Sequence, residues 1–328
     1  MSGPREIVDG HVESFVWTRL IGYDLTARHG PGHLGGRYYS QADLPRMREA
    51  GMAGAVMSIA TNPFRPAARR TEILLANLAR LRRDLEADPG VAVVDSHAGY
   101  RAAREAGRLA CFLAVQGANA WSRPEDVARA PDVTRATLLH LTDSPLGATS
   151  SPLGRSRGRG GLTAVGRDYV AALNQARIIV DLAHISRPGF REALAAHDPD
   201  LPPIVSHTGV CGVRPSWRNL DDDQIRALAG RGGVVGIMFH RGFLGRPPWR
   251  VTADAVVAHL AHLITVGGED VAALGSDYDG TIVPPTTLRT VLGLPHLVER
   301  MQAAGFAEAR ISKVLGANYL RVLEAVRP

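Results

Sequence analysis

The residues best suited to chemistry are histidines and carboxylates that follow short apolar runs. His11 and Glu13 stand on alternate positions after Ile7-Val8-Asp9, so in an extended segment both side chains face one side, as chelation of a metal requires. His184 closes the run Ile178-Ile179-Val180-Asp181-Leu182-Ala183, His207 follows Pro203-Ile204-Val205-Ser206, and Asp277 follows Ala273-Leu274-Gly275-Ser276. Neutral imidazoles with carboxylate oxygens suit zinc, which lowers the pKa of bound water to about 7 and polarises a carbonyl. Asp277 is the candidate to shuttle the proton. A lone histidine is more often a hydrogen-bonded core residue than a ligand. Ionisable groups repeated at one end of separate apolar runs point instead to a shared metal site, because a core has no need of them there. His29, His33, His197, His240, His259, His262 and His296 read as loop, surface or lining residues.

These runs also say which elements must carry the site. Apolar on every side, each reads as a strand buried on both faces, and chemistry placed just past such strands belongs to a parallel α/β sheet. Strands are expected at 7–9, 53–59, 109–115, 136–142 with His140 inside it, 178–184, 203–207, 234–239 and 271–274. Helices are expected at 43–51 with Asp43 near the cap, 67–85, 162–177, 187–196, 221–230, 252–266, 286–304 broken at Pro295, and 307–326. Strands alternating with helices, with no Pro/Ser-rich linker, predict a (β/α)8 TIM barrel, as a single domain over 1–328. The Gly- and His-rich stretch 28–36 and the Ser/Gly/Arg stretch 143–161 are expected as loops at its mouth.

Composition sets the broader limits. With 328 residues, 45% of them hydrophobic and 21% charged, the chain suits a soluble domain with a large core. The net charge of +6 comes from scattered arginines, clustered only at 155–161. No nucleic-acid-binding module or interleaved aromatics accompany them, so no nucleic-acid partner is expected. Cys111 and Cys211 lie far apart outside any CxxC, as reduced thiols in a cytoplasmic protein would. With no signal-like leader, bilayer-length apolar run or hydrophobic tail, no membrane association is expected.

Taken together, the chain resembles the membrane (renal) dipeptidase family, zinc peptidases of family M19 among the amidohydrolase-like barrels. The resemblance runs through Asp9-Gly10-His11, Ile179-Val180-Asp181-Leu182-Ala183-His184, Ser206-His207-Thr208, Arg218-Asn219-Leu220-Asp221-Asp222 and Gly275-Ser276-Asp277-Tyr278-Asp279-Gly280, in the family's order. It implies a (β/α)8 barrel, a homodimer, and two zinc ions bridged by a carboxylate and a hydroxide, acting on dipeptides. By the same resemblance His11 matches a ligand of the first metal, and His184 and His207 match ligands of the second. His140 matches a histidine that steadies the tetrahedral intermediate, Arg218 the arginine that grips the substrate carboxylate, and Asp277 the proton-transferring aspartate. Three positions depart from the pattern. Glu13 replaces the aspartate of the first metal pair, Gln116 before Gly117 replaces the bridging glutamate, and Asp143 replaces an asparagine, adding a carboxylate near the substrate. A neutral amide bridges two cations poorly, which leaves one or two zinc ions open. The expected function is metal-dependent hydrolysis of dipeptides or related amino-acid amides. Two alternatives stay open: another reaction on an amide or carboxylate metabolite in a specialised pathway, or ligand binding without turnover.

Overall fold

Runs with no polar face become strands buried on both sides. The computed structural model describes residues 6–62 and 65–328, and among these the strands are β1 (Ile7–Val12), β2 (Met52–Ala60), β3 (Val91–Val94), β4 (Leu109–Gln116), β5 (Val133–Thr137), β6 (Ile179–Asp181), β7 (Ile204–Thr208), β8 (Val234–Ile237) and β9 (Ala272–Leu274). Every pairing is parallel, in the order β1-β2-β4-β5-β6-β7-β8-β9. At the mouth β1 meets the segment after β9: Val12 bridges Tyr278, the Glu13 N–H donates to the Tyr278 carbonyl at 2.9 Å, and the Asp277 N–H donates to that of His11 at 3.0 Å. The result is the expected barrel of parallel strands, nearly closed. β3 lies off the ring, where it shares one edge of β4 with β5: β3 takes Leu109–Phe112 and β5 takes Leu113–Gln116.

Glycines let the strand ends come close enough to converge. A Cβ on Gly236 would lie 2.0 Å from the Ser206 carbonyl oxygen, and one on Gly275 1.7 Å from the same atom. Only hydrogen fits there. Gly275→Ala is expected to cost about 3 kcal/mol or more by forcing β7 and β9 apart. Thermal melting would read it, with Gly30→Ala, which meets nothing within 4 Å, as the neutral control.

Helices cover the outside with their apolar stripes inward. Leu44–Glu49 is capped by Asp43, whose carboxylate accepts from the Arg46 N–H, and Asp222–Ala229 begins with a full capping box between Asp221 and Gln224. At the far end of the barrel Tyr319, from the helix Asn318–Val326, packs edge-on to Phe112 and reaches toward Gly10, closing the interior from below. Among the described residues no helix is long and apolar enough to cross a membrane.

The structure corrects several expected elements. β5 ends at Thr137, and His140 lies beyond the strand instead of inside it, in a tight turn where Leu141 is left-handed (φ 54°) and the Thr142 N–H donates to the His140 carbonyl at 2.6 Å. The helix expected over 286–304 covers only Leu294–Ala303, with Pro295 in its first turn. Proline lacks the N–H that a first turn leaves unpaired anyway, so it starts this helix instead of breaking it. The helix expected over 307–326 is interrupted by a π turn at Lys313–Ala317, where a Cβ on Gly316 would lie 2.8 Å from the Glu6 carbonyl oxygen. β3 and the helices Phe15–Ile21 and His97–Glu105 were not expected.

Candidate metal centre

The barrel brings the chemistry-bearing residues to one end. His11 lies on β1 and Glu13 just past it, Gln116 ends β4, His184 follows β6, His207 is on β7 and Asp277 follows β9. His184 and Asp277 adopt left-handed backbone, with φ of 66° and 63°. A side chain other than glycine pays of order 1 kcal/mol or more for this conformation, strain that concentrates at functional sites.

The side chains meet. His184 Nε2 and His207 Nε2 lie 2.8 Å apart, and the Gln116 amide nitrogen is 3.4 Å from each. His11 stacks on His207 with ring centroids 3.9 Å apart, while its Nε2 lies 3.5 Å from Asp277 Oδ1 and 3.7 Å from Glu13 Oε1. One ligand atom each from His11, His207 and Asp277 fall within 4.8 Å of one another. The His140 ring stands edge-on to His184 at 5.0 Å.

These residues fit a divalent cation. His11 Nε2, Glu13 Oε1 and Gln116 Oε1 are buried without a hydrogen-bond partner. An unpaired buried polar atom costs about 1–3 kcal/mol, so such a cluster needs something to fill it. Exchanging the oxygen and nitrogen of the Gln116 amide would turn its unpartnered oxygen toward the two imidazoles, and nitrogen and oxygen donors together suit zinc.

Burial sets the electrostatics. It pushes the His11, His184 and His207 imidazoles well below their usual range, in His11 with help from the Arg135 charge. Burial raises Glu13 to about 7, and burial together with the Glu13 charge holds Asp277 well above the carboxylate range. His140 is lowered to about 3, by burial and then by the Arg218 charge. In the cation-free protein below about pH 7 the Glu13 carboxyl therefore keeps its proton, which a cation must displace. Cation affinity is expected to rise with pH through about 7, with proton release on binding. Calorimetry in two buffers of different ionisation enthalpy measures that release; an affinity flat from pH 5 to 8 would contradict it.

Above this cluster opens a cavity of about 490 Å³, lined at its base by His184, Asp277 and Arg218 and at its rim by Leu141, Leu153, Trp217, Phe243 and Ile282. Arg218 is anchored by its Nη2, which donates to the His207 carbonyl at 2.7 Å. Asp143 does not line the cavity. Its carboxylate accepts from the Thr149 and Ser156 N–H groups at 2.9 and 2.7 Å and so shapes the loop whose residues Thr149–Gly154 do reach the cavity. The stretch 28–36 does not line the cavity either: Gly36 packs on Arg289, and the Gln41 amide joins the Gly36 carbonyl to that of Ile282 on the rim.

Beneath the cluster lies a set of polar residues to which the sequence reading gave no role. Asp181 is fully buried and accepts from Arg135, Thr137, the Ser206 hydroxyl, and the Ser206 and Ala183 N–H groups. The signal was a charged residue in each of two otherwise uncharged strands, Arg135 in Val-Thr-Arg-Ala-Thr and Asp181 in Ile-Val-Asp. The apolar pattern of the sequence places the start of this strand at 136, one residue after Arg135, whereas the strand begins at Val133.

The family model for membrane dipeptidases, peptidase family M19, matches residues 5–328. The chain belongs to the membrane dipeptidase family. This is a family of metal-dependent hydrolases. Two crystal structures of metallopeptidases resemble this family member along their whole length. One, from Rhodobacter sphaeroides and liganded with a phosphinate mimic of the dipeptide L-Ala-D-Ala, is 25% identical with a TM-score of 0.85, covering 99% of this chain and 100% of that one. The other, the dipeptidase AC of family M19, is 27% identical with a TM-score of 0.84, covering 99% of each chain. An uncharacterized protein in the pqqA 5′ region of Klebsiella pneumoniae is 38% identical over 169 residues, which are 51% of this chain and 61% of that protein. The chain thus spans about three-fifths of the length of that curated relative.

Proposed function

We propose that this membrane dipeptidase family member hydrolyses dipeptides or related amino-acid amides with water activated at the barrel mouth. The observation that carries the reading is the meeting of His184 with His207, and of His207 with His11, Glu13 and Asp277, beneath a cavity whose wall holds Arg218. His184, His207 and Gln116 would hold the cation, with Glu13 and Asp277 supplying the negative charge. Bound there, zinc would acidify water and polarise the scissile carbonyl. Asp277 would take the proton from the attacking water and return it to the leaving amine. His140, neutral at working pH, would donate a hydrogen bond to the developing oxyanion. Arg218 would pair with the substrate carboxylate, and the apolar rim would receive a hydrophobic side chain. Asp143 would act on the substrate only through the loop it shapes. The reading takes the chain as one catalytic domain, homodimeric and cytoplasmic, whose partner is this small molecule.

The test is a panel of dipeptides with free or amidated C-termini, run beside elemental analysis. Bound metal with cleavage supports the proposal. Bound metal without cleavage favours another reaction on an amide or carboxylate metabolite, and absence of metal favours ligand binding without turnover. Arg218→Met is expected to raise KM for free-carboxylate dipeptides by about a hundredfold, since charge-assisted hydrogen bonds contribute about 1.5–3 kcal/mol. Amidated substrates should shift little; an equal loss on both would remove Arg218 from carboxylate recognition.

A further inference from the structure

The two stacked histidines, His11 and His207, are tied to the same buried carboxylate through different intermediaries. The Ser206 hydroxyl donates its one proton to Asp181 Oδ2 at 2.6 Å. Its 2.8 Å contact with His207 Nδ1 must then be donated by the imidazole, which leaves the His207 Nε2 lone pair bare and facing His184. On the other side Arg135 donates Nη1 to Asp181 at 2.5 Å and Nη2 to His11 Nδ1 at 3.0 Å. A guanidinium has donors only, so His11 Nδ1 is the acceptor and a neutral His11 carries its proton on Nε2. That proton faces Asp277 Oδ1 at 3.5 Å and Glu13 Oε1 at 3.7 Å.

We infer that Asp181, acting through Ser206 and Arg135, holds His207 and His11 in opposite tautomers, so that the centre takes one cation on His184 and His207 while the His11 Nε2–H only points toward the Asp277/Glu13 pair. His11 thereby departs from the ligand role that the resemblance implies for it. To ligate through Nε2 it would have to give up its last ring proton or lose the guanidinium at Nδ1. Arg135, Asp181 and Ser206 are positioning residues in this account, and their effect runs through the two imidazoles. Gln116 acts in the same direction, since a neutral amide leaves less charge for a second cation. The inference rests on the hydrolase reading only in that a cation enters this cleft.

Long-range 1H–15N spectra of histidine-labelled, metal-free protein test it, with His11→Gln and His207→Gln giving the assignments. Expected are an Nε2–H signal for His11 and an Nδ1–H signal for His207, whatever the protein hydrolyses. One equivalent of zinc should shift His184 and His207 and leave the His11 Nε2–H in place, with calorimetry giving a stoichiometry of one. Arg135→Lys keeps a positive charge against Asp181 and withdraws the second nitrogen. In the Gln116→Glu background it should free His11 Nε2 and raise the stoichiometry toward two. An Nδ1–H tautomer at His11, loss of its Nε2 proton at the first equivalent, or two tight equivalents in the unaltered protein would each overturn the inference. Absence of zinc uptake would overturn its one-cation part together with the hydrolase reading, while the metal-free spectra still decide the tautomers.

Discussion

Gln116→Glu is expected to raise cation affinity by about tenfold to a hundredfold and to raise dipeptide hydrolysis with it when metal is limiting. The amide stands 3.4 Å from both His184 Nε2 and His207 Nε2, so a carboxylate there would put a full negative charge beside the cation. Two unit charges 4 Å apart attract by about 4 kcal/mol at an effective dielectric of 20. Desolvating the new carboxylate beside Glu13 and Asp277 offsets part of that, leaving about 1.5–3 kcal/mol. Those neighbours also hinder its ionisation, so the gain should grow with pH. Calorimetric zinc titration and hydrolysis at limiting and saturating metal check both halves. A higher affinity with an unchanged rate at limiting metal would show that the amide is not what restrains the enzyme.

Asp277→Asn is expected to lower kcat by about a hundredfold to ten-thousandfold, the range that positioned proton transfer contributes. Asparagine fills the same space but cannot pass a proton between water and the leaving amine. Zinc content should hold when zinc is supplied in excess, because His184, His207 and Glu13 remain. KM should change little, because Arg218 remains. Steady-state kinetics beside elemental analysis separates the roles: loss of zinc with loss of rate would make Asp277 a ligand first and a proton carrier second.

The barrel was legible because its strands are continuous apolar runs that read alike in any context, and Ile204–Thr208 and Ile7–Val12 were recognisable from composition alone. The candidate site was legible for the same reason, since each ionisable residue stood out against the run it ended. The π turn at Lys313–Ala317 could not be read, because it depends on how closely Gly316 approaches the first strand, a tertiary distance. Asp143 misled because a carboxylate beside a predicted cavity looks the same in sequence whether it faces the substrate or caps its own loop. Arg135 was overlooked because its effect on His11 joins positions 124 residues apart.

The central claim is that residues from separate strands share a cation able to activate water. The most direct measurement is an anomalous difference map, at the zinc edge, of crystals grown with zinc. The account predicts a peak about 2.0–2.1 Å from both His184 Nε2 and His207 Nε2. Active protein whose crystals show no peak there, or a peak only on other residues, would contradict it.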